Sequence, residues 1–293
     1  MEAIKQIIPL LLTLSLAGLV TSVGLNSTRD DLLYVLRRPA LLFKAILAVD
    51  VIPPIAAIAL MSFLPLEPVV KAGILLMSIA PVPPLVPGQQ LGVGASKQYA
   101  YGVYVALVLL TIVVVPIWFA VASRVFGRAE TVSFMTMAQT ILTGVLIPLA
   151  IGMLVRRFAP DFAARAMPWL YRLSMFLVLL AFLPIVIAVW PAITALVGNG
   201  TLVTMALVIV IALAGGHLLG GPDLEDRATL AIASSVRHPG IAMMLANANF
   251  ADKRITAAVL LFLLVGMVVG IPYKRWIKRT SAARARSAPA KVA

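Results

Sequence analysis

The sequence predicts an all-α polytopic membrane protein of about nine transmembrane helices, and three observations support this fold class. Of its 293 residues, 62% are hydrophobic and only 12% are charged, whereas a soluble domain is about 25% charged. Almost every hydrophobic stretch reaches the roughly 20 residues that a helix needs to cross a hydrocarbon core. Two stretches are interrupted by proline, glycine and polar residues. Lipid offers no partner to a freed N–H or C=O group, so such breaks survive only against protein or a water-filled cavity.

Hydropathy and helix-breaking residues divide the chain into nine apolar spans. The first could be mistaken for a secretory signal peptide, but it is long for a signal core, and we interpret it as a retained helix. Residues 274–293 are rich in Ala, Ser, Arg and Lys and are predicted to be a disordered basic tail. The nine spans lie near residues 7–25, 40–63, 69–90, 99–122, 132–155, 168–190, 200–220, 226–249 and 255–274.

Basic residues predict how the spans are oriented. With nine spans, 17 of the 24 Lys and Arg residues fall on the side of the C-terminus, 6 fall on the side of the N-terminus, and Arg237 belongs to neither. The positive-inside rule then predicts a cytoplasmic C-terminus and an external N-terminus in a bacterial inner (plasma) membrane. Topology and anionic lipid headgroups explain the net charge of +13. Nucleic acid is therefore not an expected partner.

The two breaks fall in the third and eighth spans, which are five apart and so cross in opposite directions. This arrangement is typical of an inverted repeat, and paired breaks of this kind point to a transporter's binding site. We predict a first repeat of four spans over residues 1–126 and a second of five spans over residues 127–273. The residues expected to form the broken backbone are Pro83, Pro84, Pro87, Gly88, Pro239 and Gly240.

Two charged side chains lie deep within spans, namely Asp50 and Arg237. Each costs about 2.5–3.5 kcal/mol on insertion scales, so such residues usually face the interior and pair with each other or with backbone. One interpretation is a buried Asp50–Arg237 pair on a solute or ion pathway. The others are a purely structural pair, or Arg237 capping the half-helix before it. The sequence leaves these open, including whether the two residues contact each other.

Polar residues accompany both breaks. His238 could shuttle protons or bind a substrate carboxylate, or it could be an ordinary hydrogen-bonding histidine. Amides and hydroxyls beside unwound backbone suit coordination of an ion or polar solute, and their alternative role is hydrogen bonding between helices. Together with Asp50, Arg237 and His238, the candidate pathway residues are Gln89, Gln90, Ser234, Ser235 and Asn247.

The residue inventory argues against several other classes of protein. The absence of cysteine excludes thiol catalysis and thiolate metal sites, and two histidines with one deep carboxylate make an ordinary metal site improbable. No motif of a membrane enzyme is present, and the rings of charge or repeated filter loops of a channel are missing. We therefore expect neither an enzyme nor a resident cofactor.

Three stretches resemble the bile acid:sodium symporter family, within the larger bile, arsenite and riboflavin transporter group. They are Gly24-Leu25-Asn26-Ser27 with Val35 to Ala40, the positions of the two broken spans, and the segment from Arg237 to Phe250. That segment is similar to the family's Gln-Asn-Ser-Gly-Leu-Ala sequence and its later Ala-His-Phe. The resemblance implies core and panel domains built from inverted repeats, broken helices that cross in the core, an organic anion bound between the domains, and two sodium ions behind the crossing.

The family's sodium ligands are poorly matched. They fall here on Ala233, Arg237, Gly88, Gln89, Gly102, Ala106 and either Val49 or Asp50. Most side-chain oxygen donors are therefore missing. We hypothesise that Arg237 is a tethered cation that substitutes for sodium, with Asp50 as its counter-charge.

This hypothesis predicts a secondary-active or facilitative transporter of a small organic anion. Transport would be independent of sodium, being either facilitated or coupled to protonation of Asp50. The alternatives are a sodium-dependent bile-acid-type symporter with altered ligands, and a non-transporting sensor or degenerate paralogue on the same scaffold. A steroid, a short carboxylate and a pantoate-like acid all remain open as substrate.

Overall fold

The computed structural model describes residues 2–125 and 134–287, and the regular structure within these ranges is helical. The first half contains α1 (Glu2–Asn26), α2 (Arg29–Leu36), α3 (Pro39–Ile46), a π-helical turn (Leu47–Val51), α4 (Ile52–Phe63), α5 (Pro68–Ile79), α6 (Val86–Leu91) and α7 (Lys97–Val125). The second half contains α8 (Phe134–Ile141), a second π-helical turn (Leu142–Leu146), α9 (Ile147–Phe158), α10 (Pro160–Ala195), α11 (Thr201–Leu219), α12 (Leu224–Ser235), α13 (Pro239–Asn249) and α14 (Arg254–Ser287).

Six helical segments of the described chain are long and apolar enough to cross a membrane, and a bent pair formed by α1 and α2 is a seventh candidate. The six are Pro39–Phe63, Lys97–Ala122, Met135–Phe158, Pro160–Ala195, Thr201–Leu219 and Arg254–Ser281. The sequence prediction of about nine reached a larger number because it counted each broken stretch as one span. The structure divides those stretches into α5 with α6, and α12 with α13, and none of these four half-helices is long enough to cross alone.

Helix α10 presents most of its apolar surface to the outside of the protein. Only 11% of its most apolar stretch is buried, and Trp169, Phe176, Leu183 and Ile187 are all more than half exposed. A soluble protein rarely leaves so large an apolar surface uncovered. Exposure on this scale is the expected condition of a helix that contacts lipid, and the protein is an integral membrane protein.

Helices α1 and α9 meet at two glycines, where their backbones approach closely. A Cβ atom added to Gly24 would lie 2.5 Å from the carbonyl oxygen of Leu149 and 2.9 Å from the Cα of Gly152. Small residues at such crossings let helices pack without large side chains between them, which is a common solution in membranes. This contact joins α1 to α9, and α1 also packs along α10.

A short helix, α2, lies between the first two predicted spans, where we expected only a connecting loop. It bends 81° away from α1. Its start is fixed by a capping box, in which the Asp31 N–H donates to Thr28 Oγ1 at 3.3 Å and the Thr28 N–H donates to Asp31 Oδ2 at 2.8 Å. Hydropathy does not detect a helix of eight residues with mixed polarity, whereas its cap is visible in the sequence.

The structure also corrects the tail prediction. Helix α14 continues to Ser287, so residues 274–287 are helical rather than disordered. Alanine, arginine and lysine are good helix formers, and a preceding apolar helix supplies the nucleus that an isolated tail would lack. Residues 288–293 and the predicted repeat boundary at residues 126–127 lie outside the described part of the chain.

Contacts at the helix ends show which connections share a face of the protein. At one end, Lys274 Nζ donates to Gln89 Oε1 at 2.6 Å, and Ser281 Oγ lies 3.4 Å from Glu225 Oε1. These contacts bring the end of α6 and the start of α12 together with the C-terminal half of α14. At another position, Arg254 at the start of α14 lies 3.9 Å from Glu67, just before α5.

Candidate functional site

The two helix breaks are hydrogen-bonded to each other. Helices α5 and α12 each have 12 residues and end on an extended residue, Ala80 (ψ 147°) and Val236 (ψ 122°). Proline disfavours the helical conformation in the residue before it, so Pro81 explains why α5 stops at this point. Across the gap, the His238 N–H donates to the Pro81 carbonyl at 3.0 Å. We call residues 80–85 and 236–238 together the junction.

Two proline pairs determine which carbonyl groups near the junction lack a helical partner. In the first pair, Pro53 and Pro54 stand four and five residues after Val49, so neither an α-helical nor a π-helical N–H is available to its carbonyl. In the second pair, Pro83 and Pro84 stand three and four residues after Ala80, so neither a 3₁₀-helical nor an α-helical N–H is available to its carbonyl. A buried carbonyl without a donor is costly. Each of these two groups therefore needs a donor from elsewhere in the fold.

Arg237 supplies both donors. Its guanidinium is 4% exposed; Nη1 donates to the Ala80 carbonyl at 3.3 Å, and Nη2 donates to the Val49 carbonyl. A guanidinium carries several donors in a fixed plane and can bridge two carbonyls, which a lysine ammonium does less well. Arg237 thereby ties the π-helical turn, the end of α5 and the second break into one unit.

The carbonyl of Asp50 repeats this pattern with a different donor. It precedes Pro53 and Pro54 by three and four residues, so its 3₁₀-helical and α-helical donors are missing. The indole Nε1 of Trp118 on α7 donates to it at 2.6 Å. Tertiary contacts from two separate elements, the second break and α7, therefore compensate these three carbonyls.

The Asp50 side chain does not form a direct ion pair with Arg237, whose Nη atoms are bound to main-chain carbonyls. The two charges are nevertheless close enough to attract each other. Asp50 Oδ2 is buried and has no hydrogen-bond partner among the described residues, and the same is true of Arg237 Nε. Opposite charges therefore lie near each other beside the junction without a direct hydrogen bond between them.

His238 caps the half-helix that follows the second break. The residue is 2% exposed, and its Nδ1 accepts a hydrogen bond from the Ile241 N–H at 3.3 Å. This bond assigns the proton of the neutral ring to Nε2, which is buried without a partner in the described chain. The first turn of α13 accordingly begins with one N–H already satisfied.

Two other candidate residues connect neighbouring helices. Gln90 is 1% exposed, and its Nε2 donates to the Thr229 carbonyl on α12 at 2.8 Å, while its Oε1 has no partner among the described residues. The Ser234 hydroxyl donates to the Ala212 carbonyl on α11. Both contacts match the alternative role foreseen for polar residues here, hydrogen bonding between helices.

The remaining candidates are not brought to the junction by any contact. Gln89 accepts a hydrogen bond from Lys274 in the C-terminal half of α14, Ser235 bonds within its own helix to Ile232, and Asn247 is exposed on α13. The backbone prediction also needs a correction. Pro83 and Pro84 lie in the unwound segment, but Pro87, Gly88, Pro239 and Gly240 belong to the first turns of α6 and α13, because proline is well tolerated at a helix start.

The main-chain groups of the site were not identified from the sequence. Asp50, backbone groups and the end of the preceding half-helix were all open as partners of Arg237, but the carbonyls of Val49, Ala80 and Pro81 and the indole of Trp118 were not singled out. A usable signal was present, because a Pro-Pro pair identifies in advance which upstream carbonyls lack a partner.

Two interrupted helices that contact each other inside an apolar helical protein define the class as a membrane transporter with broken helices. The family model for the sodium bile acid symporter family matches residues 13–196, which is more than half of the chain. The chain belongs to the sodium bile acid symporter family, a family of transporters, and the sequence-based assignment is confirmed. No curated protein matches the chain in a sequence search.

Proposed function

We propose that this protein is a secondary-active or facilitative transporter of a small organic anion, and that it works without sodium because Arg237 takes the place of a bound cation. The observation that carries the proposal is the bridge from Arg237 to the carbonyls of Val49 and Ala80. Main-chain carbonyls beside an unwound helix are the groups that coordinate small cations in transporters. Here the carbonyls of Val49 and Ala80 both accept hydrogen bonds from the Arg237 guanidinium, a permanent cation that is part of the chain.

The fit of sodium to these residues is poor for two reasons. The family positions that carry side-chain oxygen ligands are occupied here mainly by alanine and glycine. The carbonyls of Val49 and Ala80 already accept hydrogen bonds, and a second positive charge beside the guanidinium would be repelled. No step of the proposed transport therefore involves sodium.

The proposed cargo is an anion because the junction contains a fixed cation and the start of a helix. Arg237 contributes a full charge that Asp50 offsets without binding it directly. Helix α13 begins at Pro239, so its positive dipole end lies next to His238. A carboxylate or sulfonate near the junction would be attracted by both.

The proposed topology is nine spans in two inverted repeats, with an external N-terminus and a cytoplasmic C-terminus in a bacterial inner membrane. Two features support it. The half-helices α5 and α12 have equal length, as related elements of two repeats should. The contacts Lys274–Gln89 and Ser281–Glu225 join the end of the third span and the seventh connection to the C-terminal helix, all of which the nine-span order assigns to one side.

Binding of an anion is tested by thermal stability. The purified full-length protein is heated with taurocholate, cholate, pantoate or acetate, each in sodium and in potassium buffer. A ligand that binds only the folded state raises its stability, and the increase grows with the logarithm of the ligand concentration above the dissociation constant. We expect at least one organic anion to raise the melting temperature equally in both buffers. No stabilisation by any anion would favour a non-transporting protein on this scaffold.

Sodium independence is tested by uptake into proteoliposomes. Taurocholate uptake is measured with an inward sodium gradient and with an equal potassium gradient, and protein-free liposomes provide the background. We expect the same initial rate under both gradients. Strong stimulation by sodium would refute the substitution of sodium by Arg237 and support a sodium-dependent symporter with altered ligands.

A further inference from the structure

The two charged side chains at the junction differ in how they are satisfied. Arg237 donates to two carbonyls, whereas Asp50 Oδ2 is buried and receives no hydrogen bond within the described chain. A carboxylate oxygen without a donor is free to take a proton itself. A proton there removes the negative charge that offsets the guanidinium, and no hydrogen bond of Asp50 Oδ2 has to break for this to happen.

The elements around Asp50 provide few other groups that could compete for this proton. Helix α3 carries Lys44, which is exposed, and α4 has no ionisable residue. Helix α7 contributes Trp118 to this region, and its Arg124 is exposed near the helix end. The ionisable residues of α11 and α12 lie in their terminal turns and are His217, Glu225, Asp226 and Arg227. Arg237 is the charged group that acts on the Asp50 carboxylate.

Neither of the two ionisable residues of the junction, Arg237 and His238, replaces Asp50 as a proton carrier. A guanidinium stays protonated under physiological conditions. His238 Nδ1 accepts from the Ile241 N–H, so a second proton on the ring would have to break the cap of α13. Protonation of Asp50 carries no such cost.

We infer that Asp50 is the site of a coupling proton, and that one proton on Oδ2 and one organic anion cross the membrane together. This inference rests on the proposed function. Adding a proton converts the carboxylate to the neutral acid and leaves the charge of Arg237 uncompensated, which favours an anion at the junction. On the other side the acid returns its proton to water, the carboxylate again offsets the guanidinium, and the anion is released.

Binding of the proton and binding of the anion must then strengthen each other by the same factor. A cycle that carries one proton with one monovalent anion moves no net charge. It is driven by a pH gradient and is insensitive to the membrane potential. A facilitated carrier of the anion alone would show the opposite behaviour.

Taurocholate is a suitable probe because its sulfonate stays ionised over the whole range of the assay, so a pH effect must come from the protein. Its dissociation constant is measured with the full-length protein from about pH 5 to about pH 9, which brackets ordinary carboxyl and histidine values. We expect affinity to fall as pH rises, with a slope approaching about tenfold per pH unit, the limit for one linked proton. In proteoliposomes, an acidic exterior should drive uptake, and an imposed potential should not.

A second readout does not depend on any probe. The C=O stretch of a protonated carboxyl is followed by infrared difference spectroscopy during a pH titration of the protein alone. We expect a band that titrates in the wild type and in the Glu67→Gln control, which removes an exposed carboxylate beside Arg254. The band should be absent in Asp50→Asn and shifted in Asp50→Glu. The glutamate variant keeps a titratable group, so it tests the assignment even when the asparagine variant does not fold.

The outcomes separate this inference from the proposed function. If no Asp50 band titrates, or if a potential drives uptake while a pH gradient does not, the proton site is wrong and anion transport can still stand. If the Asp50 band titrates but taurocholate and the other anions of the stability screen neither bind nor cross at any pH, the proposed transport fails while the proton site remains. A titrating band together with pH-driven uptake supports both.

Discussion

Replacing Arg237 by alanine tests the main structural claim, that this side chain is held by carbonyls rather than by Asp50. The substitution removes two hydrogen bonds from a charged donor, each worth about 1.5–3 kcal/mol, and leaves the Val49 and Ala80 carbonyls buried without donors. We therefore expect Arg237→Ala to lower the free energy of unfolding by about 3–6 kcal/mol. Arg254→Ala is the matched control, because that guanidinium is exposed and should show no measurable change.

The partner of Arg237 is identified by a double-mutant cycle with Asp50→Asn. Because the carboxylate does not contact the guanidinium directly, the two changes should be nearly additive, with a coupling energy of about 1 kcal/mol or less. Unfolding is followed by titrating the purified protein in mixed micelles with a denaturing detergent. A coupling of about 3–5 kcal/mol, the size found when one partner of a buried ion pair is removed, would refute this reasoning.

Rescue by Pro53→Ala provides an independent check. In the Arg237→Ala background this change returns an N–H four residues after Val49, where the carbonyl has lost its donor. We expect it to recover about 1 kcal/mol, the usual net value of one hydrogen bond. No recovery would mean that the Val49 carbonyl does not account for the loss.

Two further predictions concern packing and topology. Gly24→Ala should destabilise the protein by about 1–3 kcal/mol in the same unfolding titration, because its Cβ would meet the backbone of α9. The control is Gly270→Ala, whose Cβ would have no neighbour closer than 3.9 Å and which should not change the free energy of unfolding. Equal losses of stability in both variants would contradict the close contact of α1 with α9. The chain has no cysteine, so single cysteines can be placed by Ala251→Cys and Gln98→Cys and tested in intact cells with an impermeant maleimide. We expect labelling of the first and not the second, and the reverse result would invert the proposed orientation.

The features that could be predicted from the sequence are those that the bilayer itself imposes. Lipid cannot satisfy unpaired backbone groups, so few structures are compatible with a proline-rich interruption in an apolar stretch. Both helix breaks are present where they were predicted. Helix α2 was missed because it is short and mixed in polarity and depends on the cap formed by Thr28 and Asp31. The prediction of a disordered tail was wrong for residues 274–287, because a composition typical of disorder also suits a helix that continues from an apolar segment, as α14 does.

The candidate site was predicted less well because its specificity lies in main-chain groups. Sequence patterns identify ionisable side chains, and from these it is natural to pair Arg237 with the nearest deep carboxylate. Whether a guanidinium binds a side chain or a carbonyl depends on which carbonyls have lost their helical donors. The two proline pairs contain that information, but only after the fold has brought Val49 and Ala80 within reach of one residue.

The proline pairs also bear on how such a transporter could be driven. A carbonyl freed by proline must be satisfied throughout the transport cycle, since its cost does not disappear when the protein changes conformation. A bound metal ion could satisfy it only while bound, so that departure of the ion would loosen the junction and could time the conformational change. A guanidinium anchored in the chain satisfies it permanently. If Arg237 has this role, loss of a cation cannot be the event that releases the junction, and the change in charge must come from another mobile species. A proton on Asp50 provides it, because it alters the net charge beside the guanidinium and leaves the carbonyl contacts of Val49 and Ala80 in place.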